Sequence, residues 1–236
     1  MDYEILKKGL EELGAPSSDD ICEKFCIYFD TLEETNKVMN LTAISGWEQV
    51  VNLHFLDCAA LVKFMDFSGK SAIDIGSGAG FPGLPLKIVC PDMELLMADS
   101  LAKRVNFLND TVEKLNLSGA SAIHLRAEEG ALKKEYRDSF DFALSRAVAK
   151  LSVLSELCLP YVKPGGYFIA MKSADSEDEI NSGKNAIKTL GGKIKAVEEY
   201  IIPGTDILRR AVIIEKISPT PKGYPRRFAK ISKDPL

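Results

Sequence analysis

The chain has 236 residues, 46% hydrophobic and 27% charged, which is enough apolar mass for a core and too much for a wholly disordered chain. A formal charge of −4 excludes a protein that coats nucleic acid by bulk charge. Ile5, Leu6, Leu10 and Leu13 recur at helical spacing until Gly14 and Pro16 stop the run. Ser17, Ser18 and Asp19 offer caps for a second helix with Ile21, Phe25, Tyr28, Phe29 and Leu32 on its apolar face. Ser45 and Glu48 match a capping box opening a third helix through Val50, Val51, Phe55 and Cys58. From about residue 70 the rhythm changes. Short apolar runs at 72–75, 94–98, 122–125, 140–144 and 167–171 alternate with helical patterns such as 102–115 and 150–161. That alternation predicts a parallel, doubly wound sheet. Two further runs, 193–198 and 211–215, have Pro203 and Gly204 between them, which predicts a terminal antiparallel hairpin.

The five cysteines (Cys22, Cys26, Cys58, Cys90 and Cys158) are an odd number without tandem spacing, so reduced thiols are expected. With two histidines, His54 and His124, and no second Cys/His pair, no metal site is expected. The start of the chain lacks an apolar leader, and no run approaches the ~20 apolar residues of a membrane span. A soluble cytoplasmic protein is the expectation.

The most informative motif is Asp74-Ile-Gly76-Ser-Gly78-Ala-Gly80-Phe-Pro-Gly83, between the first strand and the helical pattern from Leu84. Glycines at a strand-to-helix turn let backbone approach a ligand closely. The third glycine comes one residue early for the dinucleotide fingerprint. Asp74, two residues before the first glycine, suits a cationic ligand better than a pyrophosphate. Asp99 ends the second strand, where a ribose-diol acceptor sits in such folds. Together these favour S-adenosylmethionine over NAD. The expected fold is α/β, the class I S-adenosylmethionine methyltransferase architecture. It is Rossmann-like, with seven mainly parallel strands, a terminal antiparallel strand and N-terminal helices. Residues 1–60 are expected as a helical cap, 61–217 as the methyltransferase domain and 218–236 as a basic arm.

At these residues the sequence resembles the bacterial small-subunit ribosomal RNA guanine-N7 methyltransferases, the glucose-inhibited division protein B family. The resemblance rests on Asn40-Leu-Thr-Ala-Ile44, His54-Phe-Leu-Asp57, residues 74–86, Asp99-Ser-Leu-Ala-Lys103-Arg104, Arg126-Ala-Glu128, Ser145-Arg146-Ala147, Met171-Lys172 and Tyr224-Pro-Arg226. It implies methylation of a guanine N7 in 16S rRNA, with S-adenosylmethionine as cofactor and the small ribosomal subunit or its RNA as partner. It places Gly76, Gly78 and Phe81 in the glycine-loop part of the cofactor site, Ala127 and Glu128 along the adenine, and Arg146 near the methionine end and the target base. The chain departs from the family tail at Ala229 and Ile231, where a Gly and a Pro are usual, and at Leu53, where an Arg usually precedes the histidine.

Guanine N7 carries a lone pair and no proton, so its methylation needs no general base. Accordingly no Asn/Asp-Pro-Pro-Tyr/Phe motif follows the fourth strand; Ser145-Arg146-Ala147 stands there, and no Pro-Cys pair supplies a thiolate nucleophile. Arg146 can donate to guanine O6 or a flanking phosphate. His54 lies i, i+3 from Asp57 and either packs in the core or shapes the RNA pocket. Lys172, at the end of the fifth strand, completes the candidate catalytic set of Arg146, His54 and Lys172. Cofactor binding is assigned to Asp74, Gly76, Gly78, Phe81, Asp99, Ala127, Glu128 and Arg146. The candidate RNA contacts are Asn40 (otherwise a helix C-cap), Lys103, Arg104, Arg126, Arg209, Tyr224, Arg226 and Arg227. Residues 216–236 carry six Lys/Arg against one acid, with Tyr224 and Phe228 interleaved, a pattern that suits phosphates and bases. A monomer is expected. The alternatives are a methyltransferase on another RNA or a small molecule, or a non-catalytic S-adenosylmethionine-binding RNA module.

Overall fold

A computed structural model describes residues 3–236. Helix α1 (Glu4–Glu12) is followed by α2 (Asp19–Met39), which ends where Asn40 adopts φ 48° and its N–H reaches the Asn36 carbonyl. Asn40 is thus the left-handed C-cap of α2. Helix α3 (Trp47–Val50) runs on into a π-helix at Val51–Leu56, then α4 (Asp57–Ala59) and a 3-10 turn at Ala60–Lys63. The Ser45/Glu48 capping box does not form. Gly46, at φ 83°, holds the N-cap position, and its N–H donates to Glu33 Oε1 at 3.3 Å.

The alternating region forms β1 (Ser71–Ile75), α5 (Gly83–Val89), β2 (Glu94–Asp99), α6 (Ala102–Lys114), β3 (Ala120–His124), α7 (Ala127–Gly130), β4 (Phe140–Arg146), α8 (Leu151–Cys158), β5 (Val162–Ser173), α9 (Glu177–Thr189), β6 (Gly192–Ile201) and β7 (Leu208–Lys216). Helix α10 (Phe228–Lys233) closes the chain. The seven strands form one sheet in the order β3-β2-β1-β4-β5-β7-β6. Pairs from β3 to β5 are parallel, and β7 runs antiparallel to both β5 and β6. The expected hairpin is present, with β7 inserted inside the sheet and β6 at its edge. Helix α9 was not anticipated, although Ile180, Gly183, Ala186 and Ile187 are buried along its inner face.

Strand order reverses between β1 and β4, and in open α/β sheets ligands bind at that switch, at the carboxyl ends of the strands. Pairing of Ile75 with Ala98, Asp99 with His124 and Asp74 with Leu144 brings the glycine loop, Asp99 and the end of β4 to one edge.

Side chains alternate across each strand and so feed two apolar layers. Ala72, Met97 and Leu144 face Leu6, Phe25, Tyr28, Leu32 and Phe55 of the N-terminal helices. Ile73, Ala143 and Phe168 face Leu154, Leu157 and Tyr161, and Ile231 of α10 is buried there too. The segment before residue 60 therefore shares a core with the sheet. Among the described residues no helix is long and apolar enough to cross a membrane.

Candidate cofactor and base site

The glycine loop is held from three sides. Gly76 N–H donates to the Ala98 carbonyl at 2.8 Å. Gly78 N–H donates to Asp99 Oδ2 at 3.0 Å. The Tyr28 hydroxyl of α2 donates to the Ala79 carbonyl. Gly76 and Gly78 have φ of 72° and 61°, a region that side chains rarely adopt. A Cβ at Gly78 would meet only the Gly76 carbonyl oxygen, at 3.9 Å, so the missing side chain leaves bare backbone toward the cleft.

That cleft, about 500 Å³, is lined by the loop, Asp99, Ser100, the 125–128 segment, Arg146, Val148 and Leu157. Asp99 is buried, yet its carboxylate faces the cleft while accepting the N–H groups of Gly78 and, at 2.9 Å, Leu101. Each oxygen keeps a lone pair for a ribose hydroxyl. Leu125, Ala127, Val148 and Leu157 supply an apolar wall for a flat ring. Bare glycine backbone, a carboxylate at the end of β2 and an apolar slot fit S-adenosylmethionine, which Gly76 and Gly78, Asp99, Ala127 and Glu128 would hold.

Asp74 is a correction. It is fully buried beneath the loop and does not line the cleft. Its Oδ2 accepts the Gly83 N–H at 3.0 Å, and Gly83 must be glycine because a Cβ would sit 2.8 Å from that oxygen. Burial raises the Asp74 carboxyl to about 7, against the pull of that hydrogen bond. Asp74 shapes the loop from below through Oδ2, and its buried Oδ1 has no hydrogen-bond partner among the described residues.

Arg146, at the end of β4, reaches into the π-helical segment. Nη1 donates to the Leu53 carbonyl and to Asp57 Oδ2, both at 3.0 Å, and Nη2 meets His54 Nδ1 at 2.8 Å. The guanidinium carbon lies 4.7 Å from the Phe81 ring centre, and His54 stacks on the same ring at 4.3 Å. Burial, reinforced by the Arg146 charge, lowers His54 to about 3. The imidazole is therefore neutral, and because Arg146 must donate to Nδ1 the proton is on Nε2, which donates to Thr42 Oγ1 at 2.8 Å. Thr42 Oγ1 also accepts the Ile44 N–H at 3.0 Å, so its own hydrogen is left for the cleft it lines. On the far side Tyr200 donates to Asp57 Oδ1 at 2.8 Å. Ala147, next in chain, has φ 56°, a strained value for alanine.

A second compartment of about 430 Å³ shares His54, Arg146 and Ala147 with the first and continues past Asp57, Met171, Lys172, Glu179 and Arg209. Arg146 stands between them. Lys172 departs from its expected role: its ammonium is tied to Glu179 at 2.6 Å and to the Ala149 carbonyl at 2.8 Å, bracing the β4–α8 turn. Arg209 lines this compartment, with Nε 3.8 Å from Asp57 Oδ1.

The other expected RNA contacts scatter. Arg126 is exposed at the cleft, and Arg104 lines it 3.6 Å from Asp99 Oδ2. Lys103 is exposed on α6, and Asn40 is exposed at its cap. Arg227 is exposed at the start of α10. Arg226 is turned inward onto fully buried Glu156, with Nη2 to Oε2 at 2.7 Å and Nε to Oε1 at 2.9 Å, which ties the arm down. Tyr224 packs against the second apolar layer, and its carbonyl accepts from Arg137 at 2.8 Å. The sequence assigned no site role to Thr42, Tyr28 or Tyr200, and read Phe228 only as one aromatic of a basic, RNA-facing tail. Thr42 lay inside a quoted motif and Tyr28 on an apolar helix face; Tyr200 becomes visible only through its partner.

This sheet order, with a glycine-loop cleft at the switch point, defines a class I S-adenosylmethionine-dependent methyltransferase. In fold the chain is similar to a SAM dependent methyltransferase from Aquifex aeolicus, with a TM-score of 0.54, 18% identity, and coverage of 71% of this chain and 93% of that one. A profile of the family described as rRNA small subunit methyltransferase G matches residues 21–206. Ribosomal RNA small subunit methyltransferase G of Clostridium perfringens (strain 13 / Type A) is 48% identical over 235 residues, 99% of this chain and 98% of the relative. That of Lachnoclostridium phytofermentans is 47% identical over 230 residues, 97% and 95% of the two chains. The chain belongs to the rRNA small subunit methyltransferase G family.

Proposed function

We propose that the protein transfers a methyl group from S-adenosylmethionine to N7 of a guanine in 16S ribosomal RNA. The observation that carries this reading is the state of the groups around Arg146. Both His54 nitrogens are engaged, and Asp57 is paired with Arg146 and Tyr200. The two titratable groups that touch Arg146 are thus committed to partners within the protein, and N7 has no proton to give. When bound, the cofactor supplies a methyl group on a positive sulfur that departs as a neutral thioether.

The protein's work is alignment and exclusion of water. Three Arg146 donors are spent on Leu53, Asp57 and His54. Its Nε–H and one Nη2–H have no protein acceptor among the described residues and can donate to guanine O6, adjacent to N7. The ring becomes cationic as it is methylated. Asp57 balances the arginine's charge, so that change is not opposed by an uncompensated cation.

The test is transfer of tritium from labelled cofactor to small-subunit RNA taken from cells lacking the protein. Label removed by N7-selective depurination is the expected result. Label resistant to that chemistry places the methyl on another atom. No label in naked RNA or in assembled subunits leaves a binding module without turnover.

A further inference from the structure

We propose that Phe228 is a cofactor-binding residue: the C-terminal arm presses its ring against the adenine of S-adenosylmethionine and closes that end of the cleft. This rests on reading the glycine-loop cleft as the cofactor site.

Phe228 opens α10 and lines the same cavity as Gly78, Asp99 and Glu128. It is 45% exposed, although the chain on both sides of it is anchored. On one side Arg226 grips Glu156 through both carboxylate oxygens. On the other, Ile231 is fully buried in the second apolar layer. Farther back, Arg137 holds the Thr220 and Tyr224 carbonyls at 2.9 and 2.8 Å. The arm is therefore a fixed strap, and the one large apolar side chain that it leaves uncovered is at the mouth of a cavity.

Leu125, Ala127, Val148 and Leu157 line the same cavity, apolar groups suited to a flat ring, and α10 packs against α8, the helix that carries Leu157. Thr42, His54 and Arg146, the base-directed groups, cluster with Phe81, which stacks on His54 and lies under the Arg146 guanidinium. An aromatic ring over an adenine face adds stacking to the area buried. Ala229 and Ile231 sit within the helix that positions the ring, and Ile231 is also its anchor. Arg227, exposed beside the ring, remains available to phosphates, while Lys230 pairs with Asp234 at 2.6 Å.

Calorimetry of S-adenosylhomocysteine and of 5′-methylthioadenosine, which lacks the amino-acid end, is the test on the full chain. Phe228→Ala is expected to weaken both ligands by the same factor, about 5- to 30-fold, and Phe228→Trp to restore them to within about threefold. Affinity within about twofold of the parent for both ligands overturns the proposal. Weakening of S-adenosylhomocysteine alone also overturns it, because the ring would then not be at the adenine. Loss of RNA affinity with unchanged cofactor affinity overturns it in favour of a stacked RNA base. Gly78→Val separates the two readings. If it abolishes binding while Phe228→Ala does not, only Phe228 is misassigned; if it too leaves binding intact, the cleft assignment falls. As a measurement independent of the alanine variant, Phe228→Trp in a Trp47→Phe background should lose emission when S-adenosylhomocysteine is added; unchanged emission overturns the contact.

Discussion

His54 and Asp74 give the protein two opposing pH signatures. His54 is lowered by burial and by Arg146 from 6.5 to about 3. Between those values the unfolded chain binds a proton that the folded chain refuses, so stability falls on acidification by roughly 1.4 kcal/mol per pH unit. Asp74 is raised by burial from 3.8 to about 7. Between those values the folded chain holds a proton that the unfolded chain releases, so stability falls as pH rises, with a similar slope. The two cancel over their common window. His54→Gln should leave only the fall with rising pH, and Asp74→Asn only the fall on acidification. Urea unfolding at pH 5, 6 and 7 checks this, and three parallel profiles would contradict both shifts. At Arg146, substitution by Lys keeps a charge near Asp57 but not the fork that spans Leu53, Asp57 and His54. Turnover should drop about 100-fold while the cofactor Kd stays within about threefold, as expected for a lost positioning contact. Equal losses in both would remove the assigned role. The sequence showed that an arginine ends the fourth strand; it could not show that His54 has its proton on Nε2, because that follows from a donor 92 residues away.

The arm and the π-helical segment are where element-level reading and structure part. A basic tail reads as a solvated, RNA-seeking arm. Instead Arg226 neutralises Glu156, whose side chain is fully buried on α8. Removing one partner of such a pair strands a buried charge, which typically costs about 3–5 kcal/mol. Arg226→Ala should therefore lower the thermal midpoint markedly, and replacing both residues with Met should recover most of the loss. A melting point unchanged in Arg226→Ala would mean that the arm is not docked through this pair. The segment 51–56 reads from its apolar spacing as ordinary α-helix, and nothing in composition marks a π-helix. In the wider turn Val51 and Phe55 are buried in the core and the Leu53 carbonyl accepts from Arg146 at 3.0 Å. Such segments recur at functional sites, and here one carries His54 to the cleft.

Charge over the whole molecule is unevenly distributed: residues 216–236 carry six basic groups and one acid, on a chain of net −4. Two of the six, Lys216 and Arg226, are spent on Asp138 and Glu156. Arg227, Lys230 and Lys233 are exposed on α10 and its cap, with Lys230 in a solvent-exposed pair with Asp234. Replacing these three with Ala should reduce the salt slope of RNA binding by about 2, at roughly 0.7 per phosphate contact on single strands, without changing the cofactor Kd. Filter binding across a salt series measures it, and an unchanged slope would assign RNA contact to other residues, such as Arg104 and Arg126 at the cleft.

The sequence alone determined the strand–helix alternation as far as the fifth strand, though not α9, together with the parallel sheet, its antiparallel hairpin, and the glycine loop opposite Asp99. These are local signals, written in periods of two and 3.6 residues and in the backbone freedom of Gly76 and Gly78. Only the tertiary structure decided what each charge does. Asp74 turned down to Gly83, Lys172 to Glu179 and Arg226 to Glu156, while Arg146 kept two donors for the cleft. A buried charge must find a partner wherever the fold brings one, and for Arg226 that partner is 70 residues away along the chain.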